Sequence, residues 1–152
     1  MTTAQFERKR FWKAFETILM ENGEPFSINY EMSGEVKFFA SVNKKRVRSP
    51  LMVSIDFLSR EKIVKLNLYI ENDVRLFNYI YSKKEQIESE LGFKPEWILS
   101  GTRNPNTRRV IKTFPVRIGD IESYECVIEK MLPCIAKYIS VFKKYVPNLF
   151  DY

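Results

Sequence analysis

Glu35-Val36-Lys37 sets a carboxylate two positions before an ammonium, and on a strand that spacing puts both side chains on one face. Histidine-free, metal-dependent nucleases use such an acid-x-lysine step, with a further acid upstream, to hold a divalent cation. Glu24 or Glu31 would be the upstream acid here. The same spacing recurs in Glu7-Arg8-Lys9, on a predicted helix where it would not work. The plainer reading is a Glu and a Lys side by side on an exposed strand face. Tyr79, Tyr81 and Lys84 share one predicted helix and could be parts of an acid–base pair, yet no cofactor loop accompanies them. The five glycines form neither GxGxxG nor GxxxxGK, so Tyr79, Tyr81 and Lys84 read as helix surface and core edge.

The chain contains no histidine. That removes Ser-His and Cys-His nucleophile pairs, His-ligated zinc, and any base with an unperturbed pKa near neutrality. CxxC pairs are absent, which excludes structural zinc. Cys126 and Cys134 fall eight apart on a predicted helix, separated by roughly 12 Å along its axis, too far to bridge. They read as two buried free thiols in a reducing cytoplasm, with no basic context to activate either. No catalytic residue, metal or cofactor is expected.

The elements that must position any site follow from periodicity. Residues 4–21 predict a helix with Phe11, Trp12, Phe15, Ile18 and Leu19 on one stripe, ended by Asn22-Gly23-Glu24-Pro25. Four strands with apolar alternation follow, at Phe26–Met32, Val36–Val42, Leu51–Phe57 and Ile63–Ile70. The next helix runs from a cap at Asn72 or Asp73 to a C′ glycine at Gly92, with Val74, Phe77, Ile80, Ile87 and Leu91 as its stripe. Two strands come after it, Glu96–Ser100 and Arg108–Ile118, and Pro115 places the second one's end at a sheet edge or bulge. The last helix spans Asp120–Tyr145, acids early and lysines late as the helix dipole favours, with a kink expected at Pro133. The fold class is thus α+β: a largely antiparallel sheet of about six strands packed by three helices, in the order α-β-β-β-β-α-β-β-α. At 152 residues, 45% of them hydrophobic, the chain predicts one domain over residues 1–152. Neither a signal peptide nor a membrane span is expected, so the predicted location is cytoplasmic.

Charge is distributed unevenly. No acid lies between Glu35 and Asp56, where Lys37, Lys44, Lys45, Arg46 and Arg48 supply five positive charges. Between Glu96 and Asp120 there is again no acid, and Arg103, Arg108, Arg109, Lys112 and Arg117 supply five more. The remainder of the chain is net acidic. Both windows are predicted hairpins, and if their tips met they would form one basic surface attractive to phosphate backbones. The candidate nucleic-acid-binding residues are Lys37, Lys44, Lys45, Arg46, Arg48, Arg103, Arg108, Arg109 and Lys112. Phe39 on the outward strand face and Trp97 could stack bases, although Trp97 is the better core residue. A solvated, charged hairpin tip is the plain alternative.

The layout also resembles a known family, Domain of Unknown Function 4268. Phe6-Glu-Arg-Lys-Arg-Phe-Trp12-Lys-Ala-Phe15 is similar to the family's aromatic-Trp-x-x-Phe opening. Lys84-Glu-Gln-Ile87-Glu88-Ser-Glu-Leu91-Gly92 followed by Trp97 resembles its Ile-Glu-x-Glu-Leu-Gly…Trp signature, and Ile139-Ser-Val-Phe142 its closing Val-Phe. One departure is a tryptophan expected in the last helix, where Tyr124 or Ile135 stands. The resemblance implies no established activity. It implies an accessory role in handling DNA, since the family often follows restriction-endonuclease-like domains in bacterial and archaeal proteins. Trp12, Phe15, Ile87, Leu91, Gly92 and Trp97 read as packing and capping positions, and Glu88 as a salt-bridge partner of Arg108 or Arg109.

The function expected first is a non-enzymatic accessory module of a bacterial DNA-handling system. Its partners would be DNA or RNA, and a nuclease protein. The second expectation is a protein-interaction or oligomerisation module without nucleic acid, using the outward Phe39 and Met52 as an apolar patch. A metal-dependent nuclease built on Glu35 is the remote third.

Overall fold

Thr2 begins the first helix with a capping box: Gln5 N donates to its Oγ1 at 3.2 Å, and its own N donates to Gln5 Oε1 at 2.9 Å. This chain was analysed as a computed structural model that describes residues 2–23, 26, 28–42, 48–100 and 104–149. The elements run α1 (Thr3–Glu21), β1 (Asn29–Ser33), β2 (Val36–Val42), β3 (Leu51–Leu58), β4 (Ile63–Glu71), α2 (Val74–Ser82), α3 (Lys84–Leu91), β5 (Glu96–Ile98), β6 (Thr107–Pro115) and α4 (Ile121–Tyr145). The fold is α+β, and the described residues form four helices and a six-stranded antiparallel sheet.

Four helices replace the expected three because the predicted helix over 72–91 is two. Asp73 caps α2 by accepting from Leu76 N at 3.0 Å, and Lys83, with φ −100° and ψ 15°, interrupts the helix before α3. The break costs one residue and leaves Phe77, Ile80, Ile87 and Leu91 buried on a continuing stripe, so periodicity does not register it. Gly92 closes α3 at φ +83°, the left-handed conformation expected of a C′ glycine. The last helix continues through Pro133.

The strands order as β1-β2-β3-β4-β6-β5. The chain meanders through β1–β4, crosses by α2 and α3 to the far edge, and returns through β6 between β4 and β5. Residues directly opposite each other in an antiparallel pair share a face. Ala40, Ile55, Leu66 and Lys112 therefore line up on one side, and Phe39, Asp56, Lys65 and Thr113 on the other. The first side is covered by α1 and α4. There Phe11 stacks on Phe57 at 4.6 Å between centroids, and Tyr124 meets Phe57 edge-on at 5.5 Å. Trp12, Phe15, Ile128, Met131, Ile135 and Phe142 extend the same core.

One irregularity redirects side chains. β1 pairs Glu31 with Phe39 but Met32 with Lys37, so Phe38 is an extra residue in β2. Lys37 and Phe38 both turn toward α1: Lys37 Nζ lies 2.9 Å from Glu16 Oε1, and the Arg8 guanidinium sits 4.8 Å over the Phe38 ring. Among the described residues no helix is long and apolar enough to cross a membrane.

Candidate nucleic-acid interface

The described flanks of both basic windows, Val42 and Leu51 for one, Ile98 and Thr107 for the other, lie at the same end of the sheet. Register fixes this, since Val42 pairs with Val53, Leu51 with Ile70, Glu71 with Thr107 and Ile98 with Arg109. The two connections leave about three strand spacings apart, or about 14 Å. Lys44, Lys45, Arg46 and Arg103 lie outside the described residues.

The other five expected basic residues divide between the faces. Lys37 turns to the helix side because of the bulge and pairs with Glu16. Arg108 and Lys112 stand opposite Ile70 and Leu66 and share the helix side too. Lys112 Nζ lies 5.2 Å from the Phe93 ring and 5.6 Å from the Phe114 ring, while Arg108 forms no ion pair or ring contact among the described residues. Arg48 and Arg109 take the outward face.

These two arginines come one from each window. Arg48 reaches back across the outward face, its guanidinium 5.1 Å over Phe39 and its Nε 3.5 Å from Glu31 Oε1. Arg109 lies 5.4 Å over Tyr69, whose hydroxyl donates to Glu71 Oε2 at 3.2 Å. Both bear electrostatically on Asp56 and on Tyr69. Burial lifts the Asp56 carboxyl above the ordinary carboxylate range, opposed by Arg109, the Asn67 hydrogen bond, Lys65 and Arg48. Burial and the Glu71 carboxylate likewise raise the Tyr69 phenol against Arg109 and Arg48.

Asp56 and Asn67 form the floor between them. Asn67 is fully buried and donates through Nδ2 to Asp56 Oδ2 at 2.9 Å, and its Oδ1 has no hydrogen-bond partner among the described residues. Sequence reading passed over this pair. The available signal was the polar alternation Ser54, Asp56 on β3 against Lys65, Asn67, Tyr69 on β4, which marks the outward face.

Several expectations change. Phe39 and Met52 are on the outward face but only 6% and 4% exposed, so they form no apolar patch; a guanidinium caps Phe39 instead. Trp97 packs edge-on against Tyr81 at 5.7 Å and Phe77 at 6.3 Å. Its Nε1 donates to Glu88 Oε2 at 3.3 Å, so Glu88 serves the indole rather than Arg108 or Arg109. Glu35 sits in the β1–β2 turn, not on a strand, and Glu24 lies outside the described residues. Among the described residues no three acids or cysteines gather to hold a metal ion. Lys84 lies 5.6 Å over the Tyr81 ring as surface packing. Cys126 is exposed and Cys134 half-buried against the edge of the core, so the two are not the buried pair expected.

Residues 7–146 match the family described as Domain of unknown function (DUF4268). The chain belongs to that family. This DUF4268 chain is also similar to the crystal structure of YbjN from E. coli, a proposed transcription regulator. The TM-score is 0.43 at 11% identity, covering 88% of this chain and 90% of that chain. No curated protein matches it.

Proposed function

We propose that this chain is a non-enzymatic accessory module of a bacterial DNA-handling system, of the nuclease or defence type, that binds nucleic acid at one end and the outward face of its sheet. The observation that supports the reading is that Arg48 and Arg109, from segments far apart in sequence, lie on the same outward face, each over an aromatic ring. Guanidinium groups over aromatic rings are held flat and pre-oriented, suited to phosphate oxygens and to stacking with bases. The neighbouring loops would add Lys44, Lys45, Arg46 and Arg103. The resemblance noted above supplies the DNA-handling context and a nuclease as the protein partner.

The test is fluorescence anisotropy with labelled single- and double-stranded DNA and RNA, at about 50 and 200 mM salt. Binding should weaken steeply with salt. Lys44→Glu with Arg46→Glu, and separately Arg48→Glu with Arg109→Glu, should each cut affinity at least tenfold and lower the salt slope by about two. Wild-type affinity in both double variants would overturn the reading.

A further inference from the structure

Asp56 is the acid that a phosphate-binding face should not carry. It lies on the central strand β3, on the outward face, where a carboxylate repels the backbone that Arg48 and Arg109 would attract. Its surroundings explain why it is there. From β2 it faces Phe39, directly opposite. From β4 it faces Lys65, also opposite, and the Asn67 amide that holds Oδ2 at 2.9 Å. Arg109 bears on it from β6 and Arg48 from the segment ahead of β3. The nearby acids are otherwise engaged, Glu31 with Arg48 and Glu71 with the Tyr69 hydroxyl. Lys65 thus stands opposite this carboxylate, Arg48 lies over the ring on its other side and Arg109 over Tyr69 on the same face, and none closes to ion-pair distance on it among the described residues.

That geometry is an attraction without a formed bridge. A bidentate arginine–carboxylate pair would lock both groups; here Arg109 rests on the Tyr69 ring and Arg48 on the Phe39 ring with a long 3.5 Å contact to Glu31, so neither is committed to Asp56. We propose that Asp56 is an internal counter-anion holding the place of a backbone phosphate between Arg48, Lys65 and Arg109, so that bound nucleic acid competes with it and binds tighter when its charge is removed. The proposal rests on the nucleic-acid reading of the same face. It makes Asp56 a residue that sets affinity and its pH dependence, and it assigns binding an uptake of a proton, because a phosphate beside Asp56 favours the neutral carboxyl. Burial, which already lifts this carboxyl, works in the same direction.

The experiment compares wild type, Asp56→Asn and Asp56→Ser at fixed ionic strength, at pH 7.5 and pH 5.5, with one labelled single strand and with pyrophosphate as a small anion. Both variants keep a short polar side chain beside Asn67, and thermal unfolding confirms that they fold. Expected at pH 7.5 is a gain of about three- to tenfold for both variants with either probe. Wild type should approach them at pH 5.5 while they stay flat. Variants no tighter than wild type, with wild type binding, would overturn the counter-anion role alone. Pyrophosphate affinity that rises in the variants while no strand binds any form would retain that role and sink the nucleic-acid reading. No binding of either probe by any form would reject both.

Discussion

Glu7 is a buried acid with its bonds in place. Arg10 Nη1 reaches both carboxylate oxygens at 3.0 and 3.1 Å, and the Tyr124 hydroxyl donates at 3.0 Å while accepting from Gly119 N at 2.8 Å. The network ties α1 to the start of α4 and satisfies a charge that would otherwise be costly to bury. Tyr124→Phe deletes one donor and one acceptor at once, and should lower stability by about 1–3 kcal/mol in urea unfolding. Asp56 makes the opposite prediction. Its carboxyl is raised in the fold, so the stability it contributes is complete below the unfolded pKa, near 3.9, and is lost as pH rises through the folded value. Asp56→Asn should therefore be at least as stable as wild type at pH 7, with the gap closing below about pH 4 in a series of denaturation midpoints across pH. Neither residue could be placed from sequence. Glu7 reads as one of many helix charges, and its partner is 117 residues away; Asp56 reads as one polar position of an alternating strand, with nothing local to name Asn67 as its partner.

At the level of elements, local signals were legible wherever the backbone itself enforces them. Gly92 is the clearest case, since its φ of +83° disfavours any side chain while no atom lies within 4 Å of where a Cβ would sit. Gly92→Ala should cost about 1 kcal/mol through backbone strain alone, measurable as a fall in the thermal midpoint. The Asp73 cap, the alternating strands and the apolar stripe of α4 were equally readable, because each depends on residues close in sequence. The break at Lys83 was not, since it shifts the stripe by less than the pattern resolves. Nor was the Phe38 bulge, which exists only as a relation between β1 and β2 and yet decides that Lys37 meets Glu16.

Across the whole molecule, the two acid-free windows were visible in composition, whereas the sheet end and faces their described residues occupy were a matter of topology. The crossover that inserts β6 between β4 and β5 brings Arg109 onto the face that Arg48 crosses, and the same register sends Arg108 and Lys112 to the helix side. Charge counting cannot separate those outcomes. The insertion also determines what borders the sheet. One margin is β1, five residues long and bulged against its neighbour; the other is β5, three residues long, beyond which β6 carries Pro115 where no strand flanks it. Short, irregular and proline-bearing margins are poor templates for another chain's backbone. Such margins guard the described sheet against growth by strand accretion into fibres, which leaves its outward face as the broader surface to offer a partner.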